Sequence, residues 1–272
     1  MLLSKSKKIL LMKMIKSMLK IQSGSFLSCH NFQKTQRKAF SVAEVLITLG
    51  VIGVIASIVL PMVKLKYQEI TTVAKVRKVY ALLNKGYEAS IQRFGPVKYW
   101  KLEGTTELVS VDIIKYLVPT GLKVNYVENK LPHIRGRWLH NKNTNIIDSS
   151  RWQIYKMDNG ATFFQVAMAA SDCSYSHNNY NKANIFLQKV CGDFTVDING
   201  EAGPNVYGID HFQFYITERG IIPVGIKDDG YRPVRDYCNP KGDKKFNGYS
   251  CAAWMLEKGT MPWLYGKQVN WD

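Results

Sequence analysis

Residues 40–61 read FSVAEVLITLGVIGVIASIVLP, and Glu44 is the only charged side chain among them. An α-helix rises about 1.5 Å per residue, so a run of this length matches the roughly 30 Å hydrocarbon thickness of a bilayer. A helix buried in a soluble core is normally apolar on part of its circumference, whereas this one is apolar all round and reads as a membrane span. Lys34, Arg37 and Lys38 stand just before it. Basic residues hold such a flank in the cytoplasm, so residues 1–39 are expected inside and everything beyond Pro61 outside.

The charge distribution follows that topology. The net charge is +16, and residues 1–39 hold nine Lys or Arg and no acid, which leaves +7 for residues 40–272. An excess concentrated beside an apolar span is explained by orientation in the membrane, and nucleic acid is not indicated as a partner. Upstream, ILLMKMIKSMLKI is broken by Lys13, Lys16 and Lys20. It is too interrupted for a second span and reads as a basic amphipathic surface helix, as disordered chain, or as sequence ahead of a later start at Met12, Met14 or Met18.

Glu44 sets this span apart from a generic anchor. An unpaired carboxylate in hydrocarbon costs about 2–3 kcal/mol, so a partner or a function is expected. The stretch from Lys38 to Pro61 combines a basic and a small residue before Phe40, an acid at the fifth position counted from Phe40, an apolar run, and a proline near its end. In this it resembles the cleavage and methylation segment of type IV pilins and of the pseudopilins of type II secretion. The resemblance implies that a prepilin peptidase cuts between Ala39 and Phe40 and N-methylates the new Phe40 amine. Ala39 stands where the family usually has Gly, so slower cleavage is expected. Glu44 would meet the Phe40 amine of a neighbouring subunit and set the register of assembly.

The implied product is a structural subunit, held in the cytoplasmic membrane by one span with its head outside. It would then be drawn into a periplasmic or extracellular filament with copies of itself and related pilins by membrane-bound assembly machinery. A different class of protein shares most of these features: a single-pass anchor, never cleaved, that carries an extracellular ligand-binding head. Gly50, Gly53 and Pro61 would matter to assembly in the first case, since Gly and Pro weaken a helix interior by about 1 and 3 kcal/mol and permit local stretching. Small residues also let helix backbones approach closely in lipid.

Beyond Pro61 the pattern becomes amphipathic. Val76, Tyr80, Leu83, Tyr87, Ile91 and Phe94 recur every three or four residues with lysines and arginines between them, predicting a helix over 62–94 that ends before Gly95-Pro96. Residues 96–150 read as irregular, with one short helix near Val111–Leu117. Two hairpins follow. WQIYKM and ATFFQVAM flank Asp158-Asn159-Gly160, a turn that suits positive φ, and HFQFYIT and IIPVG flank Glu218-Arg219-Gly220. With the strand-like DFTVDI they predict about four antiparallel strands packed on the helix, an α+β head over 95–272.

The head's four cysteines, Cys173, Cys191, Cys238 and Cys251, include no C-x-x-C pair. Their even number suits an oxidising compartment. Three connectivities are possible, and Cys173–Cys191 with Cys238–Cys251 is favoured because it joins sequence neighbours. Such bridges would staple the Gly-, Pro- and aromatic-rich tail from Tyr231 to Asp272. No metalloprotease, nucleophile-elbow or phosphate-loop motif is present, so no enzyme and no catalytic residue is expected. One cluster suggests a cation. Asp197, Asn199 and Glu201 alternate, Asp210 follows, and calcium takes six to eight such oxygens. The same residues also make an ordinary strand-ending turn.

Overall fold

The structure is a computed structural model and describes residues 41–100, 124–127, 136–140, 154–157, 162–169, 173–174, 184–200 and 202–271. One long helix, α1, runs over Val42–Phe94. The chain divides into two compact units, Met1–Val63 and Lys64–Asp272. The expected helix near Val111–Leu117 and the turn at Asp158-Asn159-Gly160 lie outside the described residues.

In the first unit, α1 is solvent-exposed on nearly every side, with Leu46, Ile47, Ile52, Val54 and Leu60 all more than 60% exposed. Among the described residues it is the one helix long and apolar enough to cross a membrane. Its polar side chains are satisfied locally. Thr48 and Ser57 donate their hydroxyls to the carbonyls of Val45 and Val54 at 2.9 and 2.7 Å, as hydroxyls in an apolar environment must. Pro61 sits inside the helix, where its ring removes one backbone donor.

In the second unit α1 buries one face. Val73, Val76, Val79, Leu83 and Tyr87 are 6% exposed or less. They join Phe194, Val196, Phe212, Phe214, Ile216 and Ile221 of the sheet in one core. Tyr80 and Tyr87 donate their phenol hydroxyls to the carbonyls of Ile221 and Thr217 at 3.0 and 2.8 Å, which pins the helix to one hairpin. Phe94, expected on the apolar face, lies in line with Val76 but is 38% exposed, as the last residue of the helix. The helix stops where the sequence places its break: Gly95 takes φ +78, and its N–H reaches the carbonyl of Ile91 at 2.9 Å.

The sheet has six strands, β1 (Val124–Val127), β2 (Ile154–Met157), β3 (Thr162–Ala169), β4 (Val190–Asp197), β5 (His211–Thr217) and β6 (Gly220–Pro223). They lie in sequence order, each antiparallel to its neighbour. Five of the six fall on WQIYKM, ATFFQVAM, DFTVDI, HFQFYIT and IIPVG, against an expected count of about four, and the sixth, β1, falls in the stretch read as irregular. The β5–β6 turn is tighter than the three-residue reading, since Thr217 pairs directly with Gly220.

Both faces of β4 and β5 are buried. Phe194, Val196, Phe212, Phe214 and Ile216 face the helix, while Asp193, Thr195, Gln213 and Tyr215 alternate with them on the opposite side. Arg232 and an aromatic cluster of Trp138, Tyr207, Phe246 and Tyr249 lie against that second side. Two short helices, α2 (Val234–Tyr237) and α3 (Cys251–Lys258), and a 3-10 turn over Pro262–Tyr265 instead join the core shared with α1, through Val234, Ala252, Met255 and Trp263. Gly248, at φ +103, lets the chain pass so close to Tyr207 that an added Cβ would lie 2.3 Å from its carbonyl oxygen. Disulfides join Cys173 to Cys191 and Cys238 to Cys251, the pairing of sequence neighbours. The second ties the start of α3 to the end of α2.

Candidate functional site

Of the expected processing residues, Ala39 and Phe40 lie outside the described residues, while Glu44 is placed in the first turn of α1. There it closes a reciprocal cap. Glu44 Oε2 accepts the backbone N–H of Ser41 at 3.0 Å, and Ser41 Oγ accepts the N–H of Glu44 at 3.2 Å. This S-x-x-E box satisfies two N–H groups that a helix start otherwise leaves bare, and a negative charge in the first turn also opposes the positive end of the helix dipole. The motif is legible in the sequence as Ser41-Val-Ala-Glu44.

Gly50 and Gly53 face open space, with nothing within 4 Å of a Cβ built on either. Nothing within the described chain therefore requires glycine at these positions. Pro61 continues the helix with no break in its assignment, so the weak point expected there is accommodated within one helix.

The residues singled out for a cation gather at the turn after β4. Asp197 Oδ1 accepts the N–H groups of Asn199 and Gly200 at 3.0 and 3.2 Å, the pattern of an Asx turn. Asp210 takes the N–H groups of Asn205 and Val206 on separate oxygens, at 2.7 and 2.5 Å, and the Asn199 amide at 3.4 Å. Burial raises the Asp210 pKa, and neighbouring His211 and those two N–H groups oppose the rise. Three oxygen-bearing side chains thus come together, and Glu201 lies outside the described residues. Among the described residues three buried oxygens, Asp197 Oδ2, Asn199 Oδ1 and Asn205 Oδ1, accept no hydrogen bond, and Asp197 Oδ2 lies 3.5 Å from His211 Nε2. Among the described residues no three His, Cys, Asp or Glu side chains form a metal-binding group. The described polar groups of the turn are carboxylate and amide oxygens, with the His211 imidazole beside Asp197.

No family model, curated protein or solved structure matches this chain. Its own residues carry the functional reading.

Sequence reading passed over two buried charge clusters. Glu69, 4% exposed on α1, accepts hydrogen bonds from the Met261 N–H, Tyr265 Oη and Lys66 Nζ at 2.8, 3.1 and 2.7 Å. Arg232, 6% exposed, lies 3.6 Å from Asp193, donates to Gln213 Oε1, and has the rings of Tyr231, Phe246 and Tyr249 within 4.6–5.5 Å of its guanidinium carbon. An acid inside the amphipathic helix and an arginine in the aromatic tail were the available signals. Neither shows in sequence which element it will meet.

Proposed function

We propose that this chain is a pilin-like filament subunit, processed by a prepilin peptidase between Ala39 and Phe40 and assembled through its N-terminal helix. One observation carries the reading. The apolar half of α1 is exposed almost all round and buries none of its most apolar window within the chain, yet it opens on a carboxylate four residues after Phe40 in the sequence. A lipid bilayer accepts the apolar surface, and neighbouring helices in a filament accept both that surface and the charge. The capping box supports the same sequence of events. Ser41 occupies Glu44 in the single chain with weak local hydrogen bonds, which a methylated amine of a neighbour would replace by a charge-assisted one. The head, stapled by two disulfides, is the part a filament would display.

Mass spectrometry of the mature N-terminus from the native membrane tests this. An N-methylated Phe40 is the expected result. An N-terminus that retains the leader overturns the filament reading in favour of a single-pass anchored ligand-binding protein.

Calcium belongs to the same proposal as an accessory of the head. Asp197, Asn199 and Glu201 would hold it, with Asp210 bracing the turn from below through its backbone hydrogen bonds. Support comes from the buried Asn199 Oδ1, which accepts no hydrogen bond among the described residues, and from Asp197 Oδ2, which has only His211 Nε2 near it, at 3.5 Å. Calorimetry of the full chain with calcium and then with chelator is decisive: a rise in melting temperature that Asn199→Ala abolishes is expected, and identical melting curves would sink the idea.

A further inference from the structure

The outer face of α1 in the second unit is unusually one-signed. Lys64, Lys75, Lys78 and Lys85 are all exposed, and none has a partner among the described residues. At 3.6 residues per turn they fall within about 80° of one another and run along roughly 32 Å of helix. The other bases of this stretch are engaged: Lys66 with Glu69, and Arg77 with the carbonyl of Leu256. Of the two acids in this part of the helix, Glu69 is buried in the core and Glu88 alone is exposed. Tyr67 and Ile70, 70% and 57% exposed, lie on and beside the lysine stripe at its membrane-proximal end.

We propose that this face, Lys64 to Lys85, docks on the anionic phosphates of a phospholipid headgroup layer. The inference rests on residues 40–61 being a membrane span. A second copy of the chain offers poor complementarity, because residues 40–272 carry +7 and the same face would bring lysine against lysine. The apolar span ends directly before the stripe in sequence, so the nearest large surface of opposite sign is the bilayer itself. Tyr at the headgroup level and lysine stems lying over apolar surface are what that layer accommodates. Pro61, three residues ahead of Lys64, cannot donate to the carbonyl of Ser57 and is the point of α1 where bending costs least. Docking would hold the head of the stored subunit at the membrane until assembly removes it.

The full chain is reconstituted into vesicles of phosphatidylcholine alone and of phosphatidylcholine with phosphatidylglycerol. A membrane-impermeant amine-acylating reagent is added, and mass spectrometry reads the rate at each lysine. Lys64, Lys75, Lys78 and Lys85 are expected to react about fivefold more slowly in the anionic vesicles, the factor that attraction of one lysine to such a surface corresponds to. Exposed Lys241 and Lys267 should keep their rates, and high salt should restore the stripe. The triple variant K75E/K78E/K85E should lose the lipid dependence at Lys64 while its circular dichroism stays unchanged.

Equal rates at the stripe in both vesicles overturn the proposal, and that is also the result an acidic protein partner predicts. Slowing of stripe and control lysines alike overturns it too. Flotation with carbonate-washed phosphatidylcholine vesicles separates the two readings: a chain that floats with unprotected lysines keeps the anchor and loses the docking face, whereas one that fails to float loses the anchor itself.

Discussion

Glu69 of α1 accepts the backbone N–H of Met261 at 2.8 Å across 192 residues of sequence. That bond places a charge-assisted clamp between the helix and the last turn of the chain, and Tyr265 adds its hydroxyl to the same carboxylate. The consequence is that the tail's packing on the helix depends on one ionised side chain.

Removing the clamp with Glu69→Ala should destabilise the head by about 2–3 kcal/mol, since a hydrogen bond to a charged group is lost and the Met261 N–H is left buried without a partner. Glu69→Gln, which keeps the acceptor oxygen, should cost less. Urea unfolding of the two variants followed by tryptophan fluorescence checks the order, and equal losses would contradict the clamp.

The same carboxylate predicts acid sensitivity. Burial pushes its pKa up, but hydrogen bonds from Lys66, the Met261 N–H and Tyr265 outweigh burial and hold it below the ordinary value of 4.5. A depressed folded pKa contributes stability that is present above 4.5 and lost as pH falls through the lower folded value. Stability curves taken from pH 6 downward should therefore fall less steeply in Glu69→Gln than in the parent chain.

Much of this fold is legible from periodicity. The apolar circumference of residues 40–61, the three-to-four spacing from Val76 to Tyr87, and the Gly95-Pro96 stop each register a local physical demand. Alternation in β4 and β5 correctly separates Phe194, Val196, Phe212 and Phe214 from Asp193, Thr195 and Gln213. It misleads about burial, because alternation reports two faces and not what covers the second one. The cover comes from Arg232, Phe246 and Tyr249, in a tail without regular period whose position depends on long-range contacts and a disulfide. In the cation turn the sequence brings the acids close together, but not the fact that backbone N–H groups already occupy most of their oxygens.

Arg232 offers a sharper test of that hidden layer. Burial works against its charge, and the carboxylate of Asp193 with the hydroxyls of Tyr215 and Tyr249 more than compensates, raising its pKa above the ordinary value. Arg232→Met leaves Asp193 buried without its cation and should cost about 3–5 kcal/mol. The pair D193L/R232M removes both charges and should recover a large part of that loss. A double-mutant cycle by urea unfolding measures the coupling, and additive losses would show that the two side chains do not act together.

Alkaline pH should strip the head of stability through its buried phenols. Burial drives the Tyr87 and Tyr207 hydroxyls up to about 12, from an ordinary value of 10, with Glu218 adding to the rise at Tyr87. A raised folded pKa means that the stabilising difference is complete below 10 and lost as pH climbs to about 12. Phenolate absorbance followed against pH should show exposed tyrosines titrating first and a cooperative step near the upper limit that coincides with loss of near-ultraviolet circular dichroism. Tyr87→Phe, which removes the hydrogen bond to the Thr217 carbonyl, should melt at lower temperature at neutral pH and lose less on going to alkali.

Gly50 and Gly53 separate a fold requirement from an assembly requirement. A Cβ at either meets nothing within 4 Å in the single chain, and both residues sit in regular helix, where Ala is favoured over Gly by about 1 kcal/mol. The G50A/G53A variant should therefore leave the melting of the head unchanged and stiffen the apolar half of α1. If neighbouring helices pack against these positions, the added methyl groups will hold backbones apart, and the yield of sedimentable filament should drop severalfold while the amount of membrane-held subunit stays constant. Filament yield equal to that of the parent chain would mean that the glycines are only tolerated in the span, and the burden of assembly would then fall on Glu44 alone. Glu44→Gln provides that comparison: it keeps an acceptor for the Ser41 N–H but abolishes the charge, so loss of filaments in this variant together with normal yield in G50A/G53A would identify charge pairing, and not close helix approach, as what holds subunits in register.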